Sequence, residues 1–323
     1  MSVVTLGETM ALLSTPDWGR VTGGSALPVG IGGAESNVAI GLARLGVPSA
    51  WISRVGDDAF GALVTREIRA EGVRVLAGRD PEAPTGLMLK EMRGGKPWRV
   101  RYYRRGSAAS RLSPSDIDAA AVAAADVLHV SGITAALGPG PRETLDHVIG
   151  VAREAGTLVS FDVNYRATLW PPEEAGPVLA RLAAAADLVF AGPEEAALLL
   201  GLPAGEVSFE LGEELARELA GRGPATAVVK LGALGAVAVD GDAAHRAEAV
   251  PVTVVDPVGA GDAFVAGYLS GLVAGEPVPG CLRLGNAAGA AVCRVPGDWE
   301  GLPTREELRA EEPAAEEPVE VVR

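Results

Sequence analysis

Cysteine is scarce, with Cys281 and Cys293 the two among 323 residues. Two thiols do not make a disulfide framework or a zinc site. Both are expected as small buried hydrophobes on a C-terminal helix. Aromatic residues amount to 4%, which leaves Ala, Val and Leu to fill the core. Histidine is equally sparse, and His129, His147 and His245 are scattered. His129 lies in the apolar run Val127-Leu128-His129-Val130, where a satisfied core imidazole fits better than a ligand. No uncharged apolar stretch reaches the ~18 residues that a bilayer span needs. No basic-plus-apolar leader precedes Val3–Leu6, which already reads as a strand. The chain is therefore expected to be cytoplasmic, with no membrane partner. Nor is there an excess of positive charge: the formal net charge is −14. An acidic chain is not expected to bind nucleic acid. A small anionic substrate is still compatible, because it needs only a few well-placed Arg or Lys.

What is present is an alternation of short β-branched runs with longer Ala/Leu-rich runs of helical period. Strands are predicted at Val3–Leu6, Ala50–Val55, Val127–Val130, Leu158–Asp162, Leu188–Phe190 and Ala227–Lys230, and at the pair Ala236–Val239 and Ala243–Arg246. Helices are predicted at Ser36–Leu45, Ala59–Glu71, Arg142–Ala155, Glu173–Ala185, Ala263–Ala274 and Pro279–Arg294. This is the pattern of an α/β fold with a mostly parallel central sheet and helices on both faces. Such sheets bind ligands at the carboxyl ends of their strands. Two segments, about 12–31 and 86–107, break the rhythm and look like β-hairpin material forming a small lid. Residues 1–308 then make one domain. The remainder, 309–323, is a Glu-, Ala- and Pro-rich acidic tail expected to be disordered.

Three glycine-bearing motifs carry chemistry. Asp256-Pro257-Val258-Gly259-Ala260-Gly261-Asp262 follows a strand-like Val252–Val255 and opens an apolar helix. Its glycines let the backbone approach a ligand, and free N–H groups at a helix start bind anions. An acid there is either an N-cap or a base that takes a proton from a substrate hydroxyl. Gly32-Gly33-Ala34-Glu35-Ser36-Asn37 places an Asn on a helix's first turn, as a cap or as a bridge between sugar hydroxyls. Lys230-Leu231-Gly232-Ala233-Leu234-Gly235 is a tight turn or a loop beside a nucleotide. The turn Leu6-Gly7-Glu8-Thr9-Met10 lacks the glycines of a dinucleotide-binding site, and Gly95-Lys96 is followed by Pro97 where a Walker motif needs Ser or Thr.

In order and separation these motifs resemble the signatures of the ribokinase-like carbohydrate kinases, the PfkB family. The first runs Gly32-Gly33-x-x-x-Asn37-x-Ala39 into Leu42-Ala43-Arg44-Leu45-Gly46. The resemblance implies a ribokinase-like fold over about residues 3–305 and ATP-dependent phosphorylation of a sugar hydroxyl. Mg²⁺ and a monovalent cation are the implied cofactors, and a homo-oligomer the expected assembly. It implies Asp262 as catalytic base, with the Gly259, Ala260 and Gly261 amides as anion hole. Gly33 and Asn37 would hold sugar hydroxyls. Asn164, Lys230, Gly232, Gly235 and Asn286 would border the nucleotide. Glu195 would help position Mg²⁺ through water, although Gly192 stands where the family carries Asn.

Arg101-Tyr102-Tyr103-Arg104-Arg105 and Ser160-Phe161-Asp162-Val163-Asn164-Tyr165-Arg166 point to the substrate. Arginine pairs bidentately with a carboxylate, which a neutral sugar lacks. Together with Ser131-Gly132-Ile133-Thr134, these segments resemble the 2-keto-3-deoxygluconate kinases of the family. That resemblance implies that Tyr102, Arg104 and Arg166 hold an acid sugar, with Met88 where some members place a Tyr. Arg101 and Arg105 are expected to be solvated. Fructokinase or ribokinase chemistry, a kinase for a different keto-deoxy acid, and a non-catalytic sugar-binding regulator are the alternatives.

Overall fold

The computed structural model describes residues 2–15, 19–94 and 96–311. Its strands are β1 (Val3–Leu6), β2 (Met10–Ser14), β3 (Val29–Gly32), β4 (Ser49–Gly56), β5 (Arg74–Asp80), β6 (Leu87–Arg93) and β7 (Lys96–Tyr103), then β8 (Val127–Ser131), β9 (Leu158–Asp162), β10 (Leu188–Ala191), β11 (Thr226–Lys230), β12 (Gly235–Asp240) and β13 (Ala243–Glu248). Nine of them form one sheet in the order β13-β12-β11-β10-β9-β8-β1-β4-β5. Its strands pair in parallel except at the β11-β12-β13 edge. The strands are buried on both faces because successive side chains point to opposite sides and both sides are apolar. Val4, Leu128, Val189 and Val229 pack with the helices Pro139–Ala155, Pro172–Ala185 and Phe209–Ala220. Val3, Val127, Phe190 and Val228 pack with the helices Ala34–Arg44, Ala260–Ala274 and Val278–Val292. Three aromatics meet in that second layer: Phe190 meets Phe264 and Tyr268 edge-on at 6.2 and 5.1 Å.

The lid is a separate four-stranded sheet, β3-β2-β6-β7. The two predicted hairpin segments join through a parallel β2–β6 pairing. Its inner face carries an apolar cluster, with Met10, Leu12 and Met88 buried together.

The predicted alternation holds, with local differences. Val252–Val255 is irregular chain and not a strand; the Val255 and Asp256 amides reach only the Cys293 carbonyl, at 2.8 and 3.3 Å. β5 was not predicted. Cys281 is buried, but Cys293 is half-buried just beyond its helix. His129 is the expected core imidazole, 2.9 Å from Ser160 Oγ, and burial lowers its pKa to about 4. A helix at Arg305–Glu311 runs three residues into the expected tail. The rest of that tail lies outside the described residues, as do 16–18 and 95 of the lid segments. No helix among the described residues is long and apolar enough to cross a membrane.

Candidate active site

A cleft of about 460 Å³ opens between the carboxyl ends of the central strands and the inner face of the lid. Helix Ala34–Arg44 brings Asn37 to it, and helix Ala260–Ala274 brings Asp262. The two side chains meet, with Asn37 Nδ2 donating to Asp262 Oδ2 at 2.8 Å. Asn37 Oδ1 is buried without a partner among the described residues, so the amide has an acceptor to spare. Gly33, just before that helix, passes so close to the Glu8 carbonyl and Thr9 that a side chain would not fit.

Burial pushes the Asp262 carboxyl up to about 7. The Asn37 hydrogen bond opposes this, Asp162 adds to it, and the charges of Arg166 and Lys230 lower it. An acid poised near neutrality suits a general base.

The loop before Asp262 has the geometry expected of an anion site, with one change from expectation. Gly259 adopts φ 80°, a left-handed conformation that a side chain would strain, and it abuts the Asp298 carbonyl. The Ala260 amide closes a turn onto the Pro257 carbonyl at 3.3 Å and is not free for a ligand. Among the described residues the amides of Gly259, Gly261 and Asp262 have no acceptor. The first-turn N–H groups of a helix are unpaired in this way by geometry. A Cβ on Gly261 would stand 3.7 Å from Lys230 Nζ, so the protein itself leaves room there.

Lys230, at the end of β11, donates to both oxygens of Asp162, at 2.9 and 2.8 Å. Glu195 sits beside them on the first turn of helix Pro193–Leu200. Its carboxylate accepts from the Gly192 amide at 2.6 Å and the Tyr165 amide at 2.8 Å. Burial raises the Glu195 pKa, against the pull of Lys230. Gly192 therefore contributes a backbone donor and no side-chain amide. Among the described residues no group of three acids, histidines or cysteines is placed to hold a metal ion. Asp162 and Glu195 still fit Mg²⁺ in the way that ion is usually bound, through water and substrate phosphates with one or two carboxylates nearby.

Of the residues expected to hold the sugar acid, Tyr102, Arg104 and Arg166 all line the cleft. Arg104 is buried and already paired: its Nε and NH2 reach Glu8 Oε2 at 2.6 and 2.5 Å. Ser107 donates to the other Glu8 oxygen at 2.5 Å. Arg166 is exposed, and its guanidinium makes no hydrogen bond or ion pair among the described residues, though its charge is felt by Asp262. It follows Asn164, whose φ of 38° makes it the non-glycine residue with a positive φ among those described. Asn tolerates that region, and such strain concentrates at functional sites. Arg101 and Arg105 are solvated, as expected. Met88 packs against Gly32 within the lid and lines the cleft. The Ser131 and Thr134 hydroxyls donate to buried Glu35, at 2.6 and 2.9 Å, so of that segment Ile133 is what faces the cleft.

Gly232, Gly235 and Asn286 stand apart from the cleft lining. Gly232 and Gly235 take φ of 60° and 118° in the tight turn from β11 to β12. Both Asn286 amide protons go to the Ala247 and Glu248 carbonyls, at 3.0 and 2.9 Å. Glu8, Lys90, Asp162 and Asp298 were missed. Glu8 and Asp162 had a signal, since each lies at the carboxyl end of a predicted strand. Removing Glu8 would leave Arg104 buried and unpaired. Glu8→Ala is expected to cost about 3–5 kcal/mol of stability, measured by urea unfolding.

The sequence matches the pfkB family carbohydrate kinase pattern over residues 1–305. It is 40% identical to the 2-dehydro-3-deoxygluconokinase of Bacillus subtilis (strain 168), over 95% of this chain and 94% of that protein. It is 37% identical to the 2-dehydro-3-deoxygalactonokinase of Haloferax volcanii, covering 92% of each. The crystal structure of 2-dehydro-3-deoxygluconokinase from Thermotoga maritima superposes with a TM-score of 0.85 at 29% identity, over 96% of this chain and 97% of that one.

Proposed function

The chain belongs to the pfkB family of carbohydrate kinases, and from that premise we propose that it transfers the γ-phosphoryl of ATP to the 6-hydroxyl of 2-keto-3-deoxygluconate. The observation that carries the acid-sugar assignment is the unpaired Arg166 on the cleft that holds Asp262. A cation without a protein partner in a binding cleft favours an anionic ligand. Arg104, held by Glu8, would contribute its remaining donors and its fixed orientation. The C4 epimer, 2-keto-3-deoxygalactonate, is a second reading, favoured by the 37% identical relative that bears its name.

Asn37 and the Gly33 backbone would hold the sugar hydroxyls. Asp262 would accept the proton of the attacking hydroxyl as its bond to phosphorus forms. The free amides of Gly259 and Gly261 would receive the charge of the transferring group, and Lys230 would lie beside the phosphates. Mg²⁺, when bound with ATP, would supply neutralisation of phosphate charge, and Asp162 and Glu195 are the carboxylates that would help to hold it. Phosphoryl transfer is largely positioning and charge stabilisation, so these parts suffice. A coupled ADP-release assay over a panel of neutral and acidic sugars tests the reading. A wild-type preference for fructose or ribose would overturn the acid-sugar assignment.

The apolar cluster on the inner face of the lid would help to exclude water where it covers the cleft. ATP hydrolysis without sugar is therefore expected to run far below the kinase rate. Equal rates in the same assay would remove the lid from the mechanism.

A further inference from the structure

Lys90 belongs to lid strand β6, yet its Nζ is buried against the central domain. It donates to Asp256 Oδ2 at 3.0 Å and to Asp298 Oδ1 at 2.9 Å. Burial alone would lower its pKa; the two carboxylates outweigh this and hold it above the ordinary lysine value. Both acids belong to the wall behind the anion site. Asp256 opens the loop, its Oδ1 accepting from the Val258 amide at 3.1 Å and its Oδ2 from the Gly297 amide at 3.3 Å. Asp298 presses its carbonyl against Gly259 and lines the cleft. Without a cation, two buried carboxylates would repel each other and any phosphate brought to the neighbouring amides.

We propose that Lys90 is a positioning residue: a cation tethered to the lid that neutralises Asp256 and Asp298, and so fixes the phosphoryl loop when the lid is in place. Its ammonium fills the space between the two carboxylates, so that no free monovalent cation is needed there. This rests on the reading of Gly259 and Gly261 as the phosphoryl site. It goes beyond that reading by coupling the lid to the loop through one side chain.

The test is steady-state kinetics of the full chain at fixed Mg²⁺ in choline, sodium, potassium or ammonium chloride of equal ionic strength. Wild-type turnover should be the same in all four. Lys90→Ala should lose about 10²-fold in kcat, the scale of a mispositioned site, with KM for the sugar acid little changed. Potassium or ammonium should restore part of that loss saturably, and choline should not. Lys90→Met fills the space without charge and should show the loss without the rescue. Asp262→Asn is measured alongside: if it retains turnover, the site reading has failed. If it is inactive while a folded Lys90→Ala or Lys90→Met keeps wild-type kcat in choline, the tether alone has failed. Wild-type turnover that rises with potassium overturns the proposal however the variants fold.

Discussion

Asp262→Asn is expected to lose on the order of 10²–10⁴ in kcat while keeping its affinity for ATP. The substitution is conservative in shape. The Asn carbonyl can still accept the 2.8 Å bond from Asn37. What is lost is the ability to take a proton. The wild-type kcat/KM should fall as pH drops through about 7, where Asp262 becomes protonated, and the variant should lose that limb. Stability should move the other way. The folded-state pKa of about 7 lies above the reference value of 3.8, so between these values the folded chain binds more protons than the unfolded one. Wild-type stability therefore declines as pH rises through that window. Above it, the buried charge costs on the order of 4 kcal/mol, at about 1.36 kcal/mol per unit. Asn carries no such charge, so the variant should be more stable than wild type at pH above 7 and gain little below pH 4. Near wild-type turnover in the variant would remove Asp262 from the mechanism.

The second large effect concerns charge on the substrate. If Arg166 pairs with a sugar carboxylate, truncating it leaves that carboxylate unpaired in a partly dry cleft, at a cost of about 2–5 kcal/mol. At about 1.4 kcal/mol per decade, Arg166→Ala should lower kcat/KM for 2-keto-3-deoxygluconate at least ~30-fold. Lysine should restore only part, because it lacks the planar fork. Arg104 cannot compensate fully, since its Nε and NH2 are committed to Glu8. The comparison is two by two: wild type and variant, acid sugar and neutral analogue. The neutral analogue should be a poor wild-type substrate but little affected by the substitution. Equal losses for both would assign Arg166 to the phosphates or the fold.

Much of this was legible in the sequence because it is local. The Gly259 turn, Asp262 at a helix start and the Asn37 helix are encoded within a few residues each, and so is the alternation of strands and helices. Arg166 was found because it follows a readable core strand. β5 escaped because it is an edge strand: Arg74, Arg79 and Asp80 interrupt any apolar run, and half its surface faces solvent. Val252–Val255 misled in the opposite sense, having β-branched residues but no neighbouring strand to pair with. Lys90 gave no signal in the sequence, since Asp256 and Asp298 lie 166 and 208 residues away. The commitment of Arg104 to Glu8 was hidden for the same reason, across 96 residues. Periodicity reports which face is buried, not which distant charge waits there.

The Asn37–Asp262 bond spans 225 residues of chain. A polypeptide made from its N-terminus thus carries half of its reactive pair long before the other half is synthesised. β1 adds to this, because in the finished sheet it lies between β8 and β4, so the first strand made is an interior strand whose β8 neighbour comes much later. No fragment that ends before Asp262 can form that pair, so on the proposed mechanism a nascent chain is expected to be silent until this residue is made. The cleft is completed only when the helix that bears Asp262 docks, so the onset of turnover during refolding should mark the docking of that helix and not the first collapse.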